Sequence, residues 1–110
     1  ARIAAKRQSL LAALEAGVTH CNGSDDGVFP HGENVRELEL LVDYGVPVVE
    51  ALRAATSVNA RVLHLDDQVG QVRAGLLADL IAVEGNPLES ISALRAVRFV
   101  MQSGRIIRQR

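Results

Sequence analysis

The thirteen residues Asn22-Gly23-Ser24-Asp25-Asp26-Gly27-Val28-Phe29-Pro30-His31-Gly32-Glu33-Asn34 bring two aspartates, a histidine and a glutamate into one short stretch. A carboxylate in such a place can ligate a divalent cation or, as a general base, take a proton from an attacking water. Asp25 and Asp26 by themselves offer only hard oxygen donors, which suit loose Mg²⁺ or Ca²⁺ contact better than a closed zinc site. The other histidines, His20 and His64, stand apart in the chain. No two histidines have His-x-His spacing, and Lys6 is the sole lysine. On residue types alone, clusters of Gly, Ser and Asp are more often plain turns, and that alternative stands beside the chemical one.

The elements around the stretch decide where it is held. From Arg2 to Ala16, Ile3, Leu10, Leu11 and Leu14 recur at helical spacing, and Gly17 supplies a left-handed residue at the expected helix end. Val18 to Asn22 reads as a short strand, stopped by the turn formers Gly23 to Gly27. Asn34 is expected to cap a second helix with Val35, Leu38, Leu41 and Val42 on one face and Gly45 at its end. Pro47 opens a third, with Val48, Ala51, Leu52 and Ala55 inward. Thr56 or Ser57 caps a short fourth, carrying Ala60, Val62 and Leu63. Beyond Asp66-Asp67, Gly70, Gly75 and Gly85 punctuate shorter runs. Residues 78–83 read as a strand, and Val97–Met101 with Arg105–Ile107 read as a hairpin turning at Ser103-Gly104.

Those strands are too few to close a sheet alone, and the leading strand between helices looks like the last unit of a repeating β/α architecture. The chain therefore reads as a C-terminal segment with a helical α/β part and a β tail. In α/β barrels, sites are built at the C-terminal ends of strands and in the loops that follow, which is where Asp25 falls.

Composition narrows the partners. The chain has 110 residues, 12 basic against 13 acidic side chains and a formal net charge of −1, a balance that argues against a nucleic-acid or membrane-surface binder. Phe29, Tyr44 and Phe99 are the only aromatics, too few to build base-stacking platforms. With 48% apolar and 23% charged residues the sequence belongs to a folded domain rather than a disordered one. A lone Cys21, no secretion-signal pattern and no apolar run near the ~20 residues of a membrane span make a reducing, cytoplasmic setting the expectation.

From Gly23 to Arg108 the order of features is specific: a Gly-Ser-Asp strand end, a Pro-His-Gly loop, an Ala-Thr-containing helix pair, Gly-x-x-Ala-Asp-Leu at Gly75 to Leu80, Gly-Asn-Pro-Leu at Gly85 to Leu88, and a closing hairpin. This order resembles the C-terminal part of the metal-dependent amidohydrolases, in particular their imidazolonepropionase and prolidase-like branch. The resemblance implies a TIM-type (β/α)₈ barrel with a small β-sandwich built from both termini. Residues 1–64 would be the last barrel helix, the eighth strand and the helices after it, and residues 65–110 the C-terminal strands of the sandwich. Asp25 matches the family's eighth-strand aspartate, which implies a metal ligand and general base. His31 resembles a loop histidine near the substrate, against the plain alternative of a surface loop residue.

Other positions have structural readings. Asp26 stands where the family has a small residue and reads as a solvated turn acid. His20, five residues before Asp25, has the opposite strand parity and would face the helix layer, so it is not taken as a ligand. His20 and Asn22 are departures, since those outward positions are usually apolar. His64 replaces what is usually a glycine, and Asp79 reads as structural.

The resemblance places the family's remaining ligands, an early His-x-His pair, a carboxylated Lys or a Glu, and two further histidines, on upstream strands. A catalytic metal needs about three protein ligands. The sequence thus leads to a C-terminal fragment of a hydrolase cleaving an amide or peptide C–N bond, with zinc as the expected divalent metal of the intact parent, none held tightly by this chain, and no activity from the 110 residues alone. The substrate would be a small molecule or a dipeptide-like compound, and exposed strand edges point to a homo-oligomer. The alternative is a free-standing, non-catalytic domain derived from such an enzyme, acting through self-association or a protein partner. A first residue that is not Met leans toward the fragment.

Overall fold

The computed structural model describes residues 2–23 and 32–109. Four helices come first: α1 (Arg2–Glu15), α2 (Val35–Asp43), α3 (Val48–Ala55) and α4 (Ser57–Val62). Strand β1 (Leu80–Val83), a 3₁₀ helix (Ile91–Arg95), β2 (Val97–Gln102) and β3 (Arg105–Gln109) follow. The strands form one antiparallel sheet in the order β1-β2-β3.

Local chemistry accounts for most boundaries. At the end of α1, Gly17 takes φ +77° and the Val18 N–H donates back to the Ala13 carbonyl at 3.0 Å, closing the helix through a left-handed residue. Pro47 precedes α3 with extended geometry, which its ring favours. The β2–β3 hairpin turns through Ser103 and Gly104, both at positive φ, as a two-residue primed turn requires. The Asp79 carboxylate accepts the Ser103 N–H at 2.8 Å, so this side chain fixes the turn from outside the hairpin.

The core lies where the helices meet the 3₁₀ segment. Leu38 of α2, Val46, Ala51 of α3 and Ile91 cluster there, with Leu10, Leu14, Leu41, Leu52 and Leu94 packed around them. Ala51 is fully buried, letting α2 and α3 approach closely. Ala60 of α4 is buried beneath Gly70, whose φ is +103°; a Cβ on Gly70 would lie 2.6 Å from the Ala60 Cβ. That glycine therefore lets the chain after α4 cross directly over the helix.

Two expectations are corrected. Among the described residues 18–23 no strand forms: a strand needs a neighbouring strand to pair with, and none of the described residues supplies one here. The last barrel unit is accordingly not seen as a β/α repeat. Asn34 adopts helical dihedrals and makes no capping hydrogen bond to α2; its Oδ1 accepts the Gly32 N–H at 3.3 Å instead. In α4 only Ala60 is buried, while Val62 and Leu63 are exposed by 46% and 66%. No described helix is long and apolar enough to cross a membrane.

Candidate functional site

Asp25, expected to ligate a metal and take a proton, and His31, expected to contact substrate, lie outside the described residues, as does Asp26, read as a turn acid. What the structure gives is how the chain is held on either side of them.

On the upstream side the main chain of Asn22 is gripped by one side chain. The Asn22 N–H donates to Asn59 Oδ1 at 3.0 Å, and Asn59 Nδ2 donates to the Asn22 carbonyl at 2.9 Å. A carboxamide carries an acceptor and a donor side by side, as a peptide group does, so Asn59 gives Asn22 the pair of bonds that a neighbouring strand would otherwise provide. Asn59 lies in α4, whose seat is fixed by the contact of Ala60 with Gly70.

His20 sits two residues earlier. It lines a cleft of about 430 Å³ whose walls include Leu14 at the end of α1, Leu41 of α2, Ala54 of α3 and Arg61 of α4. Its imidazole thus faces the helices. His20 Nε2 and Asn22 Oδ1 are buried without a hydrogen-bond partner among the described residues. Such atoms are rarely left unpaired in folded proteins, so each calls for a partner outside those residues. Cys21, between them, is exposed.

On the downstream side the grip is ionic. Arg95, at the end of the 3₁₀ helix, donates from Nη1 to Glu33 at 2.6 Å and from Nε and Nη2 to the two oxygens of Glu39 at 3.0 and 2.8 Å. Ser92 Oγ donates to Glu39 at 2.5 Å, and Arg36 stands 3.6 Å from the same carboxylate. The hydrogen bonds from Arg95 and then Ser92 hold the Glu39 carboxyl down at about 2, and the two carboxylates raise Arg95 above its usual value. This network ties the residue after Gly32, and the first turns of α2, to the approach to β2.

Sequence reasoning reached neither Asn59 nor Arg95. The Arg95 contacts span 56 and 62 residues and carry no local signature. Asn59 did leave a signal: Asn is a weak helix former, and here it occupies the third position of a six-residue helix. Among the described residues no group of three or more His, Cys, Asp or Glu side chains could hold a metal ion. The described residues thus do not fit a metal centre by themselves.

An α/β chain with a helix pair closed by a three-stranded sheet, and with its acidic segment anchored at both ends, defines a recognisable class. The chain belongs to the amidohydrolase family, which it matches over residues 1–107, and within it to the prolidase-like branch. Relatives at closer range include the ochratoxinase of Aspergillus niger, 39% identical over 103 residues, 87% of this chain and 21% of the ochratoxinase. A crystal structure of a Xaa-Pro dipeptidase with methionine bound in its active site superposes with a TM-score of 0.88 at 39% identity, over 93% of this chain and 25% of the dipeptidase. The crystal structure of A. niger ochratoxinase superposes with a TM-score of 0.80 at 35% identity, over 94% of this chain and 25% of that enzyme. The chain therefore spans about a quarter or less of the relatives it matches. Hydrolases of this superfamily are generally metal-dependent.

Proposed function

We propose that this chain forms the C-terminal part of a metal-dependent hydrolase that cleaves an amide or peptide C–N bond, and that Asp25 is its contribution to the reaction. The observation that carries this reading is the family match over residues 1–107, joined by similarity at 39% identity to a Xaa-Pro dipeptidase and to an ochratoxinase. In this reading residues 1–64 complete a (β/α)₈ barrel and residues 65–110 its accompanying β-sandwich. A dipeptide-like or small amide substrate is the class that suits relatives of these names.

Within the chain, Asp25 accepts the proton of the attacking water and serves as a metal ligand, while His31 contacts the substrate from the loop that follows. The metal, zinc in this reading, takes its other ligands from parts of the hydrolase outside this chain. Since a catalytic ion needs about three protein ligands, the 110 residues alone are expected to be inactive. Asp26 is given no part in the reaction.

The test is turnover of the complete hydrolase on a panel of Xaa-Pro dipeptides and small N-acyl amides, comparing the parent with Asp25→Asn at matched metal content. Loss of a general base lowers kcat by about 10²–10⁴-fold. Hydrolysis of a panel member that survives Asp25→Asn undiminished overturns the assignment of Asp25. A complete hydrolase that cleaves esters or phosphoesters and no amide overturns the assignment of the bond.

A further inference from the structure

We infer that the cleft beside His20 is a binding site for a small monocarboxylate with an apolar body, the carboxylate held by Arg61 and His20 and the body lying against the helices; this rests on no role of Asp25. The cleft encloses about 430 Å³, within the range of small-molecule sites. Its walls are this chain's own: Leu14 of α1, Leu41 of α2, Val46 and Ala54 of α3 give it an apolar floor.

Two polar groups open on that floor. Arg61 lines the cleft from α4, and among the described residues its guanidinium has no ion-pair or hydrogen-bond partner. Glu50 lines the cleft too, but its Oε1 already accepts Arg53 Nη1 at 3.0 Å, so the charge left uncompensated there is positive. His20 lines it from the segment after α1, and its Nε2 is buried with no hydrogen-bond partner among the described residues. A buried polar atom without a partner is unfavourable, and an acceptor brought to Nε2 relieves that. The second side-chain torsion of histidine is soft, so a small turn of the ring presents Nε2 to the cleft.

A carboxylate answers both groups, since the guanidinium fork takes its oxygens and an imidazole N–H donates to the same anion. An apolar side chain from elsewhere in the hydrolase would fill the space but leave His20 and Arg61 unsatisfied. An inorganic anion would satisfy them and leave the floor of Leu14, Leu41 and Ala54 uncovered. A monoanion with a hydrocarbon body meets both requirements. His20 also stands at a position where the resemblance expects an apolar residue, so this polar wall belongs to the present chain.

The experiment titrates phenylacetate into the complete hydrolase by calorimetry, with the parent beside Arg61→Gln and His20→Leu, and with phenylacetamide as the uncharged analogue. One phenylacetate per chain is expected to bind with a Kd on the order of 0.1–1 mM, as suits so few atoms. Arg61→Gln should weaken it about tenfold, and phenylacetamide should bind the parent about tenfold more weakly than phenylacetate. His20→Leu should weaken phenylacetate about three- to tenfold. Arg61 is exposed on α4, so Arg61→Gln carries the test if His20→Leu fails to fold. About 10 mM phenylacetate should raise the Tm of the parent and not that of Arg61→Gln.

Equal affinity for phenylacetate and phenylacetamide overturns the carboxylate assignment. Binding that ignores both substitutions and disappears when the metal is removed lies at the proposed reaction centre instead, and overturns the inference. No saturable binding up to about 20 mM overturns it as well, since the rest of the hydrolase then fills the cleft. The turnover of Asp25→Asn decides the earlier reading separately, and none of these outcomes depends on it.

Discussion

Replacing Glu39 by Gln should destabilise the fold near neutral pH and have little effect in strong acid. Glu39 receives both hydrogen bonds of the Arg95 fork, at 3.0 and 2.8 Å, and the Ser92 hydroxyl. These hold its carboxyl at about 2 against an ordinary 4.5. At about 1.4 kcal/mol per unit the shift caps the charge-dependent contribution of Glu39 at roughly 3 kcal/mol. Glu39 is 12% exposed but Arg95 is 37% exposed, so water already screens the pair, and about 1–2 kcal/mol is the realistic value. Because the folded value lies below the unfolded one, this stability is fully present above about pH 4.5 and is lost as pH falls toward about 2. Urea denaturation of parent and Glu39→Gln at a series of pH values reads it directly. The two should differ by about 1–2 kcal/mol at neutral pH and converge near pH 2, and about 1 M salt should narrow the neutral-pH gap. A gap unchanged from neutral pH to pH 2 would refute the electrostatic account and leave packing as the cause.

Further expectations concern other parts of the chain. Gly70→Ala should cost at least about 1–3 kcal/mol, since its Cβ would meet that of Ala60 at 2.6 Å on a backbone with φ +103°; an unchanged Tm would count against the tight crossing described. In the complete hydrolase His31→Ala should act mainly through KM, and Asp26→Ala should leave kcat/KM within a few-fold, about the scatter of a surface change; equal damage from Asp26→Ala and Asp25→Ala would show the two acids to be wrongly assigned. The 110-residue chain should self-associate at tens of micromolar, roughly the range of weak pairing, through β3 and its exposed Ile106 and Ile107. Sedimentation as a stable monomer would sink that expectation.

The helices and the hairpin were legible in the sequence wherever a signal was local. Leu10 and Leu14, the glycine at 17 and the Ser103-Gly104 turn each act within a few residues, and the structure puts α1, α2, α3 and the β2–β3 turn where those signals fall. α4 was found, but six residues make less than two turns and cannot establish a stripe, so which of its residues packs inward, Ala60, was not legible. The 3₁₀ helix at Ile91–Arg95 was missed, as five residues whose one apolar pair at 3₁₀ spacing, Ile91 and Leu94, is too short a pattern to read. Val18–Asn22 has strand-forming residues, but a strand is a property of two segments, and the pairing it receives is a side chain 37 residues away.

What sequence could not reach is the way the chain is pinned on both sides of its acidic stretch. Upstream, a neutral carboxamide holds the main chain of Asn22; downstream, an arginine holds the side chain of Glu33. These anchors differ in kind. The Asn59 bonds involve no charge, are partly buried and are directed at the backbone, so they specify geometry and answer little to pH or salt. The Arg95 bonds are charge-assisted and exposed, so they contribute through attraction and are weakened by acid and salt. A catalytic carboxylate needs its fixed reference close by and insensitive to the medium, whereas a loop that admits substrate is better held by contacts that can be made and broken. The neutral anchor lies three residues from Asp25 and the ionic one two residues from His31. The proposed general base is thus close in sequence to the neutral anchor, and the proposed substrate contact to the ionic one.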